Sequence, residues 1–252
     1  FKGDMVIFAT NMRARDESSA MKILQGLLLK EKDLPNSMIF LKLDSVFRGH
    51  VKISLHTALK LLNKNRVIFI PANPSLDRII ENGIYYYQGK PLLEAGFFSD
   101  SVSENRTSHV FDLIEKEEHD TIEVASSGQA LTKGIIIGNA DSVEEVEEWA
   151  KASGNDNILA GGANFFEALL KQNKIKPNDD KKPSGNLGEK CLYICGSAHM
   201  NSKNALKKAA RKGAVIHNIP ERIFQPRERE KEMQVWSDKI ISDIIKHNSV
   251  IA

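Results

Sequence analysis

The residues best equipped for chemistry fall in two short stretches. The first, Lys42-Leu43-Asp44-Ser45-Val46-Phe47-Arg48-Gly49-His50, brings two cations, a carboxylate and a hydroxyl together. A guanidinium grips a carboxylate or phosphate through two parallel hydrogen bonds, and an ammonium supplies a point charge. With the Asp and the Ser beside them, these groups suit a small polyhydroxy acid. The structural alternative is a helix N-cap plus a surface ion pair of Asp44 with Arg48 or Lys42. The second stretch is Pro71-Ala72-Asn73-Pro74, followed by Arg78, Gly83, Tyr86, Gly89, Pro91 and Asp100. Taken alone it reads as a rigid loop with aromatic packing, and Gly83 to Gly89 as a short hairpin holding three tyrosines.

The elements around these stretches would present them to a ligand. Met38-Ile39-Phe40-Leu41 is an apolar run of buried-strand type. After the polar turn, Val51, Leu55, Ala58, Leu59 and Leu62 recur at helical spacing. Arg66-Val67-Ile68-Phe69-Ile70 is a second strand, which leaves through the Pro71 turn. Open parallel sheets bind ligands outside the carboxyl ends of their strands, which is where both stretches would fall.

The order and spacing of these residues resemble the four-carbon acid sugar kinase family. Its Lys-x-Asp-Ser-x-x-Arg-Gly motif is matched by Lys42, Asp44, Ser45, Arg48 and Gly49, and its Pro-Ala-x-Pro by Pro71, Ala72 and Pro74. Arg78, Gly83, Tyr86, Gly89, Pro91, Leu92 and Asp100 follow its later elements. Asp77 stands where that family usually has Gly, and Phe47 where it usually has Leu. The resemblance implies transfer of the ATP γ-phosphoryl, with Mg²⁺, to a hydroxyl of an acid such as threonate or erythronate, in a bacterial cytoplasm. It implies Arg13, Lys42, Asp44, Ser45, Arg48, Asn73, Arg78 and Gly162 as substrate-binding residues, and Gly196 and Ser197 as nucleotide-binding residues. Within that set Arg13, Lys42 and Arg48 would hold the carboxylate or the incoming phosphoryl, and Asp44 and Ser45 would bind hydroxyls.

Several family features differ here. Met12 replaces a Ser in the turn that carries Arg13, and His199 replaces the second Ser of the Gly196-Ser197 turn. The family's Asp-Asp-x-Thr-Gly turn, whose acids would act at the substrate hydroxyl, has no counterpart in these residues. If it is truly absent, the site lacks a wall and its general base. The catalytic residues therefore stay unassigned, and a non-catalytic sugar-acid binding or sensing module is the alternative. A Rossmann-type dehydrogenase is disfavoured, since no Gly-x-Gly-x-x-Gly follows a predicted strand, and no Walker-type loop occurs.

Composition excludes other classes. The chain has 252 residues and a net charge of +2, with no basic stripe, so nucleic acid is not an expected partner. No apolar run approaches the ~20 residues that span a bilayer, so neither is a membrane. Oligomeric state stays open, with a homodimer as one option. Cys191 and Cys195 lie four apart on a predicted buried strand, too far apart to bond, and read as buried thiols; no metal site is expected.

Along the rest of the chain, strands are expected at Met5–Ala9, Gly134–Gly138, Asn157–Ala160, Cys191–Cys195, Ala214–His217 and from Ser249. Helices are expected at about Glu17–Lys30, Glu104–His119, Ser142–Ala152, Phe165–Lys171, Ser202–Lys212 and Glu230–His247, with Ser142 and Glu145 forming a capping box. Thr121–Thr132 reads as a polar connection. This alternation predicts an α/β fold with a mainly parallel sheet. Residues 1–172 would form the acid-sugar-binding domain, missing its first strand and turn. Residues 173–190, where Lys181 and Lys182 read as solvated, would be a linker, and 191–252 the start of a nucleotide-binding domain. Both chain ends read as cut, with the family's later glycine-rich turn expected beyond Ala252.

Overall fold

The structure is a computed structural model. It describes residues 5–31, 38–95, 107–154, 156–175, 190–196, 200–247 and 249–252. Asp100, Lys181, Lys182, Ser197, His199 and most of the expected linker lie outside the described residues. Two compact units divide the chain, residues 1–177 and 178–252.

The first unit runs α1 (Glu17–Glu31), β1 (Phe40–Lys42), α2 (Val51–Leu62), β2 (Arg66–Ile70), β3 (Arg78–Glu81), β4 (Ile84–Tyr87), β5 (Lys90–Pro91), α3 (Val110–Leu113), β6 (Ile122–Ala125), β7 (Gly134–Gly138), α4 (Val143–Ala152), β8 (Ile158–Gly161) and α5 (Ala163–Gln172). Its main sheet has the order β1-β8-β2-β7-β6, and every pairing is parallel. The protein is thus an α/β fold built on a mainly parallel sheet flanked by helices.

The strands explain the two faces. Successive side chains on a strand point to opposite sides. Val67 and Phe69 of β2, Ile135 and Ile137 of β7, and Ile158 and Ala160 of β8 enter one core with Leu24, Leu28, Val51 and Leu55 of α1 and α2. Ile68, Ile70, Ile136 and Leu159 enter the other, with Trp149 of α4 and Phe165 and Leu169 of α5. Strands covered on both faces read as continuous apolar runs, which is why these could be found in the sequence. The Ser142 cap holds: its Oγ accepts from the Glu145 amide at 3.3 Å, while Glu145 reaches back to the Asp141 amide at 2.8 Å.

Four expectations change. Met5–Ala9 forms no strand; Met5, Val6, Ile7 and Phe8 are exposed, and Ile7, Phe8, Ala9 and Thr10 line an open groove against Ile23, Gly26 and Leu27 of α1. An apolar run alone does not make a strand, because its backbone needs a partner edge. The tyrosine run is the middle strand of a three-stranded antiparallel meander, β3-β4-β5, rather than part of one hairpin. Asn82-Gly83 and Gln88-Gly89 turn it, each pair with positive φ at both residues, as two-residue hairpins require. The helix expected over Glu104–His119 is only Val110–Leu113 among the described residues. The chain breaks at Glu115 (φ 55°), whose carbonyl accepts from Lys52 Nζ at 2.7 Å. The expected polar connection contains β6, an edge strand whose Ile122 and Val124 pack on the core while Glu123 accepts from the Thr132 amide.

The second unit, described by itself, has β9 (Cys191–Tyr193), α6 (Met200–Arg211), β10 (Val215–Ile216), α7 (Arg229–Lys246) and β11 (Ser249–Ile251), with a parallel sheet of order β10-β11-β9. β9 ends at Tyr193, so Cys195 falls off the strand; Cys191 and Cys195 are only half-buried, not the buried pair expected. Leu192 and Tyr193 are exposed, because three residues of strand with one neighbour cannot be covered on both faces. No described helix is long and apolar enough to cross a membrane.

Two glycines in the first unit test the packing. A Cβ at Gly161 would meet the Ile70 carbonyl oxygen at 2.3 Å, whereas Gly26 inside α1 faces open space. Gly161→Ala is expected to destabilise by about 1–3 kcal/mol through overpacking, and Gly26→Ala to stabilise by about 0.5–1 kcal/mol by restoring helix propensity. Urea midpoints of the two variants check both signs.

Candidate functional site: a guanidinium cluster on one carboxylate

The turn after β1 is built by Asp44. Its carbonyl accepts from the Phe47 amide at 3.2 Å, and its Oδ1 accepts from the Val46 amide at 3.0 Å, an Asx turn. This turn carries Phe47 at φ 63°, a left-handed conformation unusual for an aromatic residue. Burial holds it there: Phe47 is 3% exposed and stands edge-on to Phe69 and Tyr85. Gly49 (φ 81°) then leads into α2, and a Cβ on it would meet Arg13 Cγ at 2.9 Å. A glycine is required for Arg13 to cross the turn.

That crossing closes a cluster. Arg13 Nη1 donates to Asp44 Oδ2 at 3.0 Å, and Arg48 donates to the same oxygen through Nη2 at 3.0 Å and Nε at 3.2 Å. Burial pushes the Asp44 carboxyl up, but hydrogen bonds and charge from Arg48, the Val46 amide and Arg13 outweigh it and hold the pKa below the usual 3.8. Ser45 lies beneath, 9% exposed, and its Oγ accepts from Arg78 Nη1 at 2.9 Å. Arg78 also lies over the Tyr87 ring, 5.8 Å from its centroid, across the β3–β4 pair that joins the two residues. Lys42 donates to the Leu43 carbonyl at 3.0 Å. Partial burial first, and then repulsion from Arg78, lower its pKa against the pull of Asp44. Two guanidiniums thus share one carboxylate, with Lys42 and Arg78 close by.

Asn73 and Gly162 complete the floor. Asn73 is 5% exposed; its amide donates to the Arg78 carbonyl at 2.7 Å, and its Oδ1 accepts from the Asn164 amide at 3.1 Å. The Gly162 amide donates to the Ile70 carbonyl at 2.9 Å, and a Cβ there would meet the Ala72 and Pro71 carbonyls at 3.1 and 3.2 Å. Asp77 adopts φ 54°, which explains why a glycine suits that position; Asp tolerates it better than most residues.

The carboxyl ends of β1, β2 and β8 therefore bring Lys42, Asp44, Ser45, Arg48, Arg78, Asn73, Gly162 and Arg13 into one region of the first unit. Gly196 belongs to the second unit, three residues past the end of β9, and Ser197 lies outside the described residues. Two residues escaped the sequence reading. Asn164 clamps the Pro74 turn, its Oδ1 accepting from the Ser75 amide at 3.0 Å and its Nδ2 donating to Ser75 Oγ at 2.9 Å. Tyr85 is fully buried beneath Ser45. Strand alternation through Tyr85-Tyr86-Tyr87 was the signal that could have placed it inward.

The profile of the sugar-binding N-terminal domain matches residues 2–169. This chain belongs to the four-carbon acid sugar kinase family. It is 24% identical over 188 residues to the D-threonate kinase of Salmonella typhimurium, covering 67% of this chain and 44% of that protein. Among solved structures, a Salmonella typhimurium protein provisionally described as a tRNA synthase aligns over 95% of this chain and 62% of its own, with a TM-score of 0.65 at 14% identity. A domain of unknown function from Bordetella bronchiseptica, a domain-swapped dimer with bound citrate, aligns over 95% of this chain and 58% of its own, with a TM-score of 0.54 at 15% identity. The chain thus spans about half the length of the relatives it matches, and the structural likenesses speak for the fold.

The lowered Asp44 pKa has a pH consequence. A depressed carboxyl contributes stability that is full above the unfolded value near 3.8 and is lost as pH falls through the folded pKa. Asp44→Asn is expected to destabilise the protein at pH 7 by about 1.5–3 kcal/mol, the worth of charged hydrogen bonds, and to flatten its acid unfolding below pH 4. Urea unfolding between pH 2 and 7 measures both.

Proposed function

We propose that this chain forms the substrate-binding part of an ATP-dependent kinase that phosphorylates a hydroxyl of a four-carbon sugar acid such as threonate or erythronate. One observation carries the reading: Arg13 and Arg48 bond the carboxylate of Asp44 at the strand ends, while Lys42 and Arg78, the latter bonded to Ser45, stand beside it. Such a cationic excess has room for an anion, and guanidiniums favour the planar carboxylate or a phosphoryl group. The D-threonate kinase relative and the citrate held by the Bordetella protein support an acid with several oxygens as ligand.

In this reading Arg48, Arg13 and Lys42 take the acid group or the incoming phosphoryl, and Arg78 with Ser45 takes its other end. Phosphoryl transfer asks the protein mainly for positioning and charge neutralisation, which this cluster supplies. ATP belongs to the second unit, with Gly196 and Ser197 as its first residues. Mg²⁺, when bound with ATP, would supply charge neutralisation at the nucleotide phosphates; among the described residues no group of three or more His, Cys, Asp or Glu is placed to hold a metal ion. A homodimer fits the same reading, supported by the swapped dimer of the Bordetella protein.

A second reading, a sugar-acid binding module without catalysis, has one observation in its favour. Met12, in place of the family's Ser, packs against the core and offers no hydroxyl. Transfer of phosphate from ATP to threonate or erythronate by the full-length protein separates the two readings.

Binding is tested first by thermal unfolding of the chain with threonate and erythronate. A ligand at one hundred times its dissociation constant adds about 2.7 kcal/mol of stability. Arg48→Ala is expected to weaken acid binding by about 2–5 kcal/mol and to remove that shift. A shift retained in Arg48→Ala, with a lowered melting temperature, would make Arg48 structural and sink its assignment.

A further inference from the structure

Tyr85 is a group of the site that the cluster itself does not explain. It is 0% exposed on β4, in edge contact with Phe47 of the Asp44 turn. Among the described residues its hydroxyl receives and gives no hydrogen bond. A buried hydroxyl left in this way is costly, and native proteins rarely keep one without a use. Ser45, Arg78 and Asp44 are the polar groups that act on it, and Ser45 is the hydroxyl among them. Burial pushes the phenol well above the usual tyrosine range, so Tyr85 stays a neutral O–H at every physiological pH.

The donor count then restricts Ser45. Its Oγ already accepts from Arg78, and a guanidinium can only donate. Two arrangements join Ser45 to Tyr85. Ser45 can give its proton to the tyrosine oxygen, which leaves the tyrosine proton buried without an acceptor. Alternatively, Tyr85 donates to the second lone pair of Ser45, and the serine proton turns outward through the 9% of Ser45 that remains open. Only the second arrangement satisfies both hydroxyls, and it does so once a ligand supplies an acceptor.

We propose that Tyr85 is a positioning residue: with Arg78 it fills the acceptor capacity of Ser45 and turns Ser45 into a donor toward an oxygen of the bound acid. Ser45 therefore recognises an acceptor oxygen of the ligand rather than the proton of a substrate hydroxyl. This assignment rests on the sugar-acid reading above and deepens it, because it fixes the end of the ligand that faces Arg78 and Ser45.

The test is a cycle of wild type, Tyr85→Phe, Ser45→Ala and the double variant, with threonate and erythronate binding measured by titration calorimetry and the melting temperature of each free protein recorded. Tyr85→Phe is expected to leave the free melting temperature unchanged or raised, since the lost hydroxyl holds no bond there. It is expected to weaken acid binding by about 3- to 10-fold, the range of one neutral hydrogen bond. The double variant should bind no more weakly than Ser45→Ala alone, because Tyr85 acts only through Ser45. Wild-type affinity in Tyr85→Phe, or a loss that adds in full to that of Ser45→Ala, overturns the positioning role while leaving the sugar-acid reading intact. Failure of wild type to bind any acid overturns both.

Discussion

The site depends on the buried carboxylate of Asp44. Two guanidiniums, the Val46 amide and the turn itself all converge on it. Without that negative charge, Arg13 and Arg48 would repel each other across the turn; with it, both guanidiniums are held on one oxygen. Asp44 is thereby occupied on both oxygens by the protein, and its part is to organise cations rather than to meet a ligand alone.

A carboxylate in that position requires a turn that no regular element provides. The Asx bond of Asp44 forces Phe47 into the left-handed region, and the ring stays there because Phe69 and Tyr85 enclose it. The strain of one residue is thus borne by the core of the whole unit. The strand ends show the same dependence on close approach. Gly138 and Gly161 lie where any Cβ would strike Ile70, so β2 can sit between β7 and β8 with its carboxyl end level with theirs. The turns after β1, β2 and β8 meet because the parallel sheet puts all three carboxyl ends on one edge.

Much of this was legible in the sequence because it depends on local rules. Long apolar runs bounded by polar turns specify doubly covered strands, and β2 and β7 fall where those runs predict. Helical spacing located α2, and Ser142 with Glu145 located the start of α4. Elements whose existence depends on a neighbour were less legible. Ile122–Ala125 is short and half polar, and becomes a strand only because β7 offers an edge. The Met5–Ala9 run has strand composition but no strand partner among the described residues. Glu115 ends α3 through a bond from Lys52, a residue sixty-three positions away.

For the site, the sequence by itself determined the chemical inventory: a Lys, an Asp, a Ser and an Arg in one turn, an Arg after the Pro-Ala-Asn-Pro turn, and an Arg after the first apolar run. Residue type fixes charge and hydrogen-bonding capacity, and adjacency along the chain fixes which groups share a turn. Only the tertiary structure decided that Arg13 crosses Gly49 to reach Asp44, that Arg78 bonds Ser45, and that Tyr85 lies buried beneath them. Those contacts span thirty or more residues, and they exist because the parallel sheet brings the carboxyl ends of β1, β2 and β8 to one edge.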